Sequence, residues 1–278
     1  MIRLVTYELV KTFLKKRTYL GFLIILLIVP LIEVAMKIEG EGMVRMWTRG
    51  LQQDFFFVGN LFNGWIVAYA LMNSLWIHIP ILISFVAGDM LAGEATSGTY
   101  RLILTRPVSR TGIFLSKYVA TLLYTLLFVC FLALLSIGLG IALLGTGQLL
   151  VPLEGLLILP ADDIAWRFFV AYILAFWSMT TIASIAFFFS SFVENAIGPI
   201  IATMGTLIIF TIIVFIQLEF FDPIRPYLFA QYMNLWQNAF THPFSLESLQ
   251  DGVLVQGLTS IVSVLGAWVI FVRKDILS

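Results

Sequence analysis

The sequence has 278 residues, 60% of them apolar and 12% charged, with sixteen Lys/Arg balancing sixteen Asp/Glu. Soluble domains are about 45–50% apolar and about 25% charged, so a single water-facing core is excluded and part of the solvent must be lipid. Zero net charge leaves no nucleic-acid footprint, and one Cys, two His and no C-x-x-C or H-E-x-x-H pattern give no reason to expect a protein-held metal.

Residues 2–18 come first. Ile2, Leu4, Leu9, Val10, Phe13 and Leu14 recur at roughly helical spacing, with Lys11, Lys15, Lys16 and Arg17 near the end. The pattern predicts an amphipathic helix lying in a membrane interface. The first apolar run opens near Tyr19, is longer than a signal h-region and lacks a small-residue cleavage site, so it reads as an uncleaved span.

Six long apolar runs are placed at about 19–36, 62–87, 118–145, 166–190, 197–217 and 253–272. Each is long enough to cross about 30 Å of hydrocarbon as a helix, the one open-ended form that satisfies its own backbone there. The expected fold is an all-α membrane protein, a single domain over 1–278, with six transmembrane helices after the N-terminal interfacial helix. The fourth and fifth runs are separated by a short break ending Val193-Glu194-Asn195. Outer segments 37–61 and 218–252 are rich in aromatics, which favour the headgroup level. Within the second, residues 226–240 are expected to form a re-entrant or interfacial helical element. With both termini inside, eleven Lys/Arg fall on inner segments and five (Lys37, Arg45, Arg49, Arg167 and Arg225) on outer ones, which favours cytoplasmic termini.

No G-x-x-x-x-G-K-[ST] stretch is present, so no P-loop nucleotide site is expected in this chain, and no catalytic constellation stands out. His78 falls within the second run and His242 in an outer segment. Glu33, Glu219 and Asp222 lie near outer run ends, where snorkelling to water is expected. Asp162 and Asp163 are adjacent, so their side chains diverge. Mid-run polar residues are mostly Ser, Thr and Asn. With Gly138, Gly140 and Gly205 they suit helix–helix packing.

The longest polar segment carrying four Lys/Arg residues is 88–117, between the second and third runs. On composition it is a positively charged topology loop. Its residues also resemble the membrane-spanning subunits of ABC-type exporters of the ABC-2 permease class. The resemblance rests on Gly88-Asp89, Ala92-Gly93-Glu94, Ser97-Gly98-Thr99, Arg101-Leu102, Thr105-Arg106-Pro107-Val108-Ser109-Arg110 and Lys117. It implies a permease of the inner cell membrane that pairs with a second copy or paralogue. Each would bind a separate cytoplasmic ABC ATPase subunit, which carries the ATP and magnesium; no cofactor is expected on this chain. Asp89, Glu94, Gly98, Thr99, Arg101, Arg106, Pro107 and Arg110 would form the ATPase-coupling loop, with Glu94 near the start of its helix, and Glu194 a second contact. A substrate path between two copies would draw on Asn73, Ser74, His78, Thr203, Thr206 and Phe210, a mix suited to a lipid-like or apolar drug-like molecule or equally to helix packing. The alternatives are an ATPase-driven membrane partner in assembly or signalling without solute transport, and a secondary carrier or intramembrane enzyme.

Overall fold

The computed structural model of the chain describes residues 1–48, 62–96, 109–153 and 155–273. Helix α1 (Ile2–Leu14) is followed by α2 (Thr18–Thr48), α3 (Gly64–Leu75), α4 (His78–Ala87) and α5 (Asp89–Thr96). Then come α6 (Arg110–Leu144), the strands β1 (Leu149–Leu153) and β2 (Gly155–Leu159), α7 (Ile164–Phe192), α8 (Ile197–Phe215) and α9 (Glu247–Arg273). Among the described residues five helices are long and apolar enough to cross a membrane, and six if the bent pair running from Gly64 to Glu94 counts as one span.

Helix α7 is the central element. Of its most apolar window 61% is buried, against 28% or less in each of the other four, and it packs against α4, α5, α6, α8 and α9. Helix α6 starts where Ser109 accepts from Gly112 N at 3.1 Å and stops at Gly145, whose φ of 72° is the left-handed state glycine adopts freely. Near its end α6 crosses α3 at bare backbone: a Cβ on Gly64 would sit 2.3 Å from Gly140 C. Of the glycines expected to serve packing, Gly140 does so. Gly138 and Gly205 have open space instead, so the close approach belongs to the Gly64–Gly140 pair.

The apolar helix pair expected to form the second span is broken. Its halves bend by 61° across Trp76 and Ile77. Pro80 supplies the reason: it has no N–H for the Trp76 carbonyl and its ring crowds that carbonyl. His78 Nδ1 lies 3.2 Å from Ser74 O beside the break.

Two expectations are corrected. The all-α reading missed an antiparallel β-hairpin between α6 and α7, with Leu149 opposite Leu159; Leu149, Leu150 and Val151 are fully buried, so apolar β-formers there pair as strands on the helical core. Glu33 was expected to snorkel at the end of the first span. Helix α2 instead continues to Thr48, so Glu33 is internal and has no exposed surface. Glu219 and Asp222 do lie exposed beyond α8.

Between α8 and α9 the chain makes short 3-10 turns at Arg225–Tyr227, Phe229–Tyr232 and Leu235–Phe240. Phe229, Trp236 and Phe240 are buried in the core, Phe240 edge-on to Tyr69 and Phe168. Arg167 holds this segment. It is 3% exposed, donates from Nη1 to Ala239 O at 2.9 Å and Thr241 O at 2.7 Å, and from Nε to Asp163 Oδ2 at 2.8 Å. We expect Arg167→Met to lower stability by about 3 kcal/mol. Arg167→Lys should recover little, because an ammonium cannot reproduce the fork. Thermal unfolding of purified protein in detergent checks both.

Candidate functional site

Helix α1 has two unlike faces. Ile2, Tyr7, Val10 and Leu14 are exposed by half or more, whereas Glu8 and Thr12 are buried. Glu8, Lys11, Thr12 and Lys15 recur at intervals of three and four, so they share one face. That polar face turns toward α5 and α6. Thr18 donates its hydroxyl to Thr12 O and fixes the turn into α2.

Lys117, on the second turn of α6, lies at the centre and has no exposed surface. Its Nζ donates to Glu8 Oε2 at 2.8 Å and also to Glu94 Oε1. Lys11 donates to the same Glu94 oxygen. One helical position away from Met90, Asp89 takes Lys15 Nζ at 2.7 Å on Oδ2 and Arg17 Nη1 at 2.5 Å on Oδ1. Three carboxylates thus meet four cations, with Glu94 at 2%, Asp89 at 3% and Glu8 at 6% exposure. Gly93 makes room for it, since a Cβ there would lie 2.2 Å from Asp89 Oδ1.

The first turn of α5 is capped from across the molecule. Ser190, near the end of α7, accepts from Leu91 N at 3.1 Å and Ala92 N at 2.9 Å and donates to Gly88 O at 2.6 Å. It thereby satisfies helix-start amides that have no intrahelical partner. The root of the 88–117 segment and the short 190–196 connection are therefore one joined unit.

Among the sequence-derived residues, Asp89 and Glu94 fall in the network. Glu94 is corrected from its expected place: it sits in the last turn of α5, buried and ion-paired, because Lys117 and Lys11 draw it inward. Arg110 starts α6 but its Nη1 donates to Val272 O at 2.9 Å, tying α6 to the end of α9. Glu194 is exposed on the connection between α7 and α8. Gly98, Thr99, Arg101, Arg106 and Pro107 lie outside the described residues.

The six path residues do not make one polar lining. Asn73, Ser74 and His78 are exposed at the helix break, with Asn73 Oδ1 accepting from Gln237 Nε2 at 3.1 Å. Thr203 and Thr206 donate back to Pro199 O and Ala202 O of their own helix, and the Phe210 ring lies tilted to that of Phe229, centroids 5.5 Å apart. Sequence reading did not place Glu8, Lys11, Lys15, Arg17 and Lys117 together. The available signal was the polar stripe at 8, 11, 12 and 15 on a helix whose opposite face is apolar.

We expect Lys117→Met to cost about 3–5 kcal/mol, because it leaves two buried carboxylates short of a cation. Adding Glu8→Gln should restore a sizeable part, and a double-mutant cycle on thermal unfolding reads the coupling.

A family model described as "Protein of unknown function (DUF2705)" matches residues 52–277. Over 62 residues the chain is 40% identical to "Uncharacterized protein YhcI" of Bacillus subtilis (strain 168), a stretch that is 22% of this chain and 20% of the relative. The chain thus spans about a fifth of that curated relative's length, and neither description names an activity. The family match takes in 226 of the 278 residues, and the chain belongs to the DUF2705 family.

Proposed function

We propose that the chain is the membrane-spanning permease subunit of an ATP-binding-cassette exporter, driven by a separate cytoplasmic ATPase. The observation that carries this reading is the buried network of Glu8, Glu94 and Lys117 at the root of the 88–117 segment. A force applied to that segment reaches α1, the second span and the third span through side chains with no slack. The residue pattern from Gly88 to Lys117 supplies the ATPase as the source of the force.

In this reading the protein has six spans, the bent pair counting as one, and lies in the cell membrane with both termini cytoplasmic. Helix α1 lies along the inner leaflet. Its exposed Ile2, Tyr7, Val10 and Leu14 suit acyl chains, and its buried Glu8 and Thr12 suit the protein side. Just before Glu194 in the chain, Ser191 and Phe192 line an open groove with Val269, Ile270 and Arg273, a second seat for the ATPase. Burial of Glu94 moves its role from direct contact to holding the loop's root, and leaves Arg101, Arg106 and Glu194 as the contacts. A coupling contact moves the spans only through different affinity for their two arrangements. A second copy or paralogue covers Asn73, Ser74 and His78, since polar groups are costly against lipid.

The test is co-purification of cytoplasmic ABC ATPases with the chain from membranes. Wild type should bring down an ATPase with magnesium-dependent ATP hydrolysis. Arg101→Glu and Glu194→Arg should reduce recovery at least about tenfold while each variant inserts and elutes as wild type does. Full recovery with both variants, or no ATPase with wild type, would refute the reading. Nucleotide-dependent flux in vesicles then separates export from assembly or signalling.

A further inference from the structure

Between the end of α1 at Leu14 and the start of α2 at Thr18 the chain turns through Lys15, Lys16 and Arg17. The three cations are not matched by three carboxylates. Lys15 and Arg17 both pair with Asp89. Lys16 is exposed, and among the described residues its ammonium pairs with no carboxylate. One carboxylate thus answers three cations, and the elbow keeps an excess of two positive charges. The network beside it does not absorb them, since Glu8 and Glu94 are already taken by Lys11 and Lys117. Arg17 spends Nη1 on Asp89 and stays 43% exposed, so the rest of its five-donor fork is open to a second anion.

The surface below the elbow is apolar and uncovered. Leu20, Leu23, Leu27 and Leu31 follow one another at helical spacing along one face of α2, and all four are exposed. The stripe rises about 16 Å, close to the roughly 15 Å of one leaflet's hydrocarbon. A second helix is a poor occupant for it. Helices that pack in lipid approach over small residues, and the stripe holds four leucines. The small residue of these turns, Gly21, faces inward instead, where a Cβ would lie 2.9 Å from the Phe128 ring. Cations at one end and a leaflet's length of aliphatic surface below them match a lipid with a negative headgroup.

We propose that the α1–α2 elbow binds one anionic phospholipid, its phosphate held by Lys16 and Arg17 and an acyl chain laid along Leu20, Leu23, Leu27 and Leu31. The inference rests on the reading that places α1 along a leaflet, which sets the elbow at headgroup depth, and it does not need the ATPase. A zwitterionic headgroup brings its own cation to a place that already has two in excess, so the elbow selects net negative charge. Arg17 faces both the phosphate and Asp89. The bound headgroup therefore joins the network at the root of the 88–117 segment.

The experiment uses the full chain in detergent, freed of lipid and titrated with phosphatidylglycerol or with phosphatidylcholine of the same acyl chains. Native mass spectrometry counts the lipid retained. Wild type should hold one phosphatidylglycerol at least about tenfold more tightly than phosphatidylcholine. Lys16→Gln should cut that preference by about fivefold. Arg3→Gln, which removes the same charge from the exposed start of α1, should leave it unchanged. Excess inorganic phosphate should not displace the lipid, because it has no chain to lay on the stripe. Equal retention of the two lipids, a preference that survives Lys16→Gln, or an equal loss from Arg3→Gln would overturn the proposal. Displacement by inorganic phosphate would overturn it too, by showing a site for free anions. A chain that recruits its ATPase yet shows no preference loses this inference and keeps the export reading. One that shows the Lys16-dependent preference but recruits no ATPase keeps the lipid site and loses export.

Discussion

An ammonium group with no exposed surface sits at the start of a helix made to lie in lipid, and two carboxylates from different elements close around it. Isolating any one of these charges from water is costly by several kcal/mol. Lys117, Glu8 and Glu94 therefore hold or fail together. The arrangement obliges α1 to pack with its polar side inward, which sends Ile2, Tyr7, Val10 and Leu14 outward. An amphipathic helix on a soluble protein does the reverse. The inversion follows from the charge cluster on the inner side and leaves outward an apolar face of the kind that suits a lipid interface.

The two ends of the molecule are held by different chemistry. At the network end the bonds are between ionised side chains on α1, α5 and α6, reinforced by Ser190 capping α5 from α7. At the other end Arg167 donates to main-chain carbonyls of the 3-10 segment, and Phe168 and Phe240 meet at 4.9 Å. Carbonyls held by one guanidinium and packed under aromatic rings make a fixed lid. An ion cluster can be re-paired, since each of Glu94 and Asp89 already meets two cations. The clustered end is the one that carries the root of the 88–117 segment.

Long apolar runs made the helices legible, and the polar break at 190–195 separated α7 from α8 correctly because a single crossing needs only about 20 residues. The break in the second span was written in Pro80, but its meaning depends on the fate of the Trp76 carbonyl, which only the fold shows. The hairpin at 149–159 was hidden because its leucines read equally as the end of an apolar helix. The fate of Glu33 was hidden because α2 runs a further turn and more beyond the last strongly apolar stretch. At the site, Asp89 and Glu94 were picked out by their pattern, though as coupling-loop residues rather than as members of a buried ion network. Their partners on α1 were not, because ion pairs between residues 74 to 109 positions apart leave no local trace. The polar stripe on α1 was present in the sequence but looked like the wet side of a surface helix.

The 61° bend gives the second span a special place between these ends. Its lower half continues through α4 into α5, where Asp89 and Glu94 are tied to α1 and α6. Its upper half, α3, is fixed by the Gly64–Gly140 crossing and by Asn63, which accepts from Trp65 N and donates to Gln148 O. The break at Trp76–Ile77 thus separates the half tied to the network from the half fixed against α6. A small apolar crevice lies at that point. Residues from both halves, Met72 above and Ile79 below, line it together with α6, α7 and the 3-10 segment. Any change in the bend must change its shape. The same proline that breaks the helix therefore places a small apolar space where α3 and α4 meet.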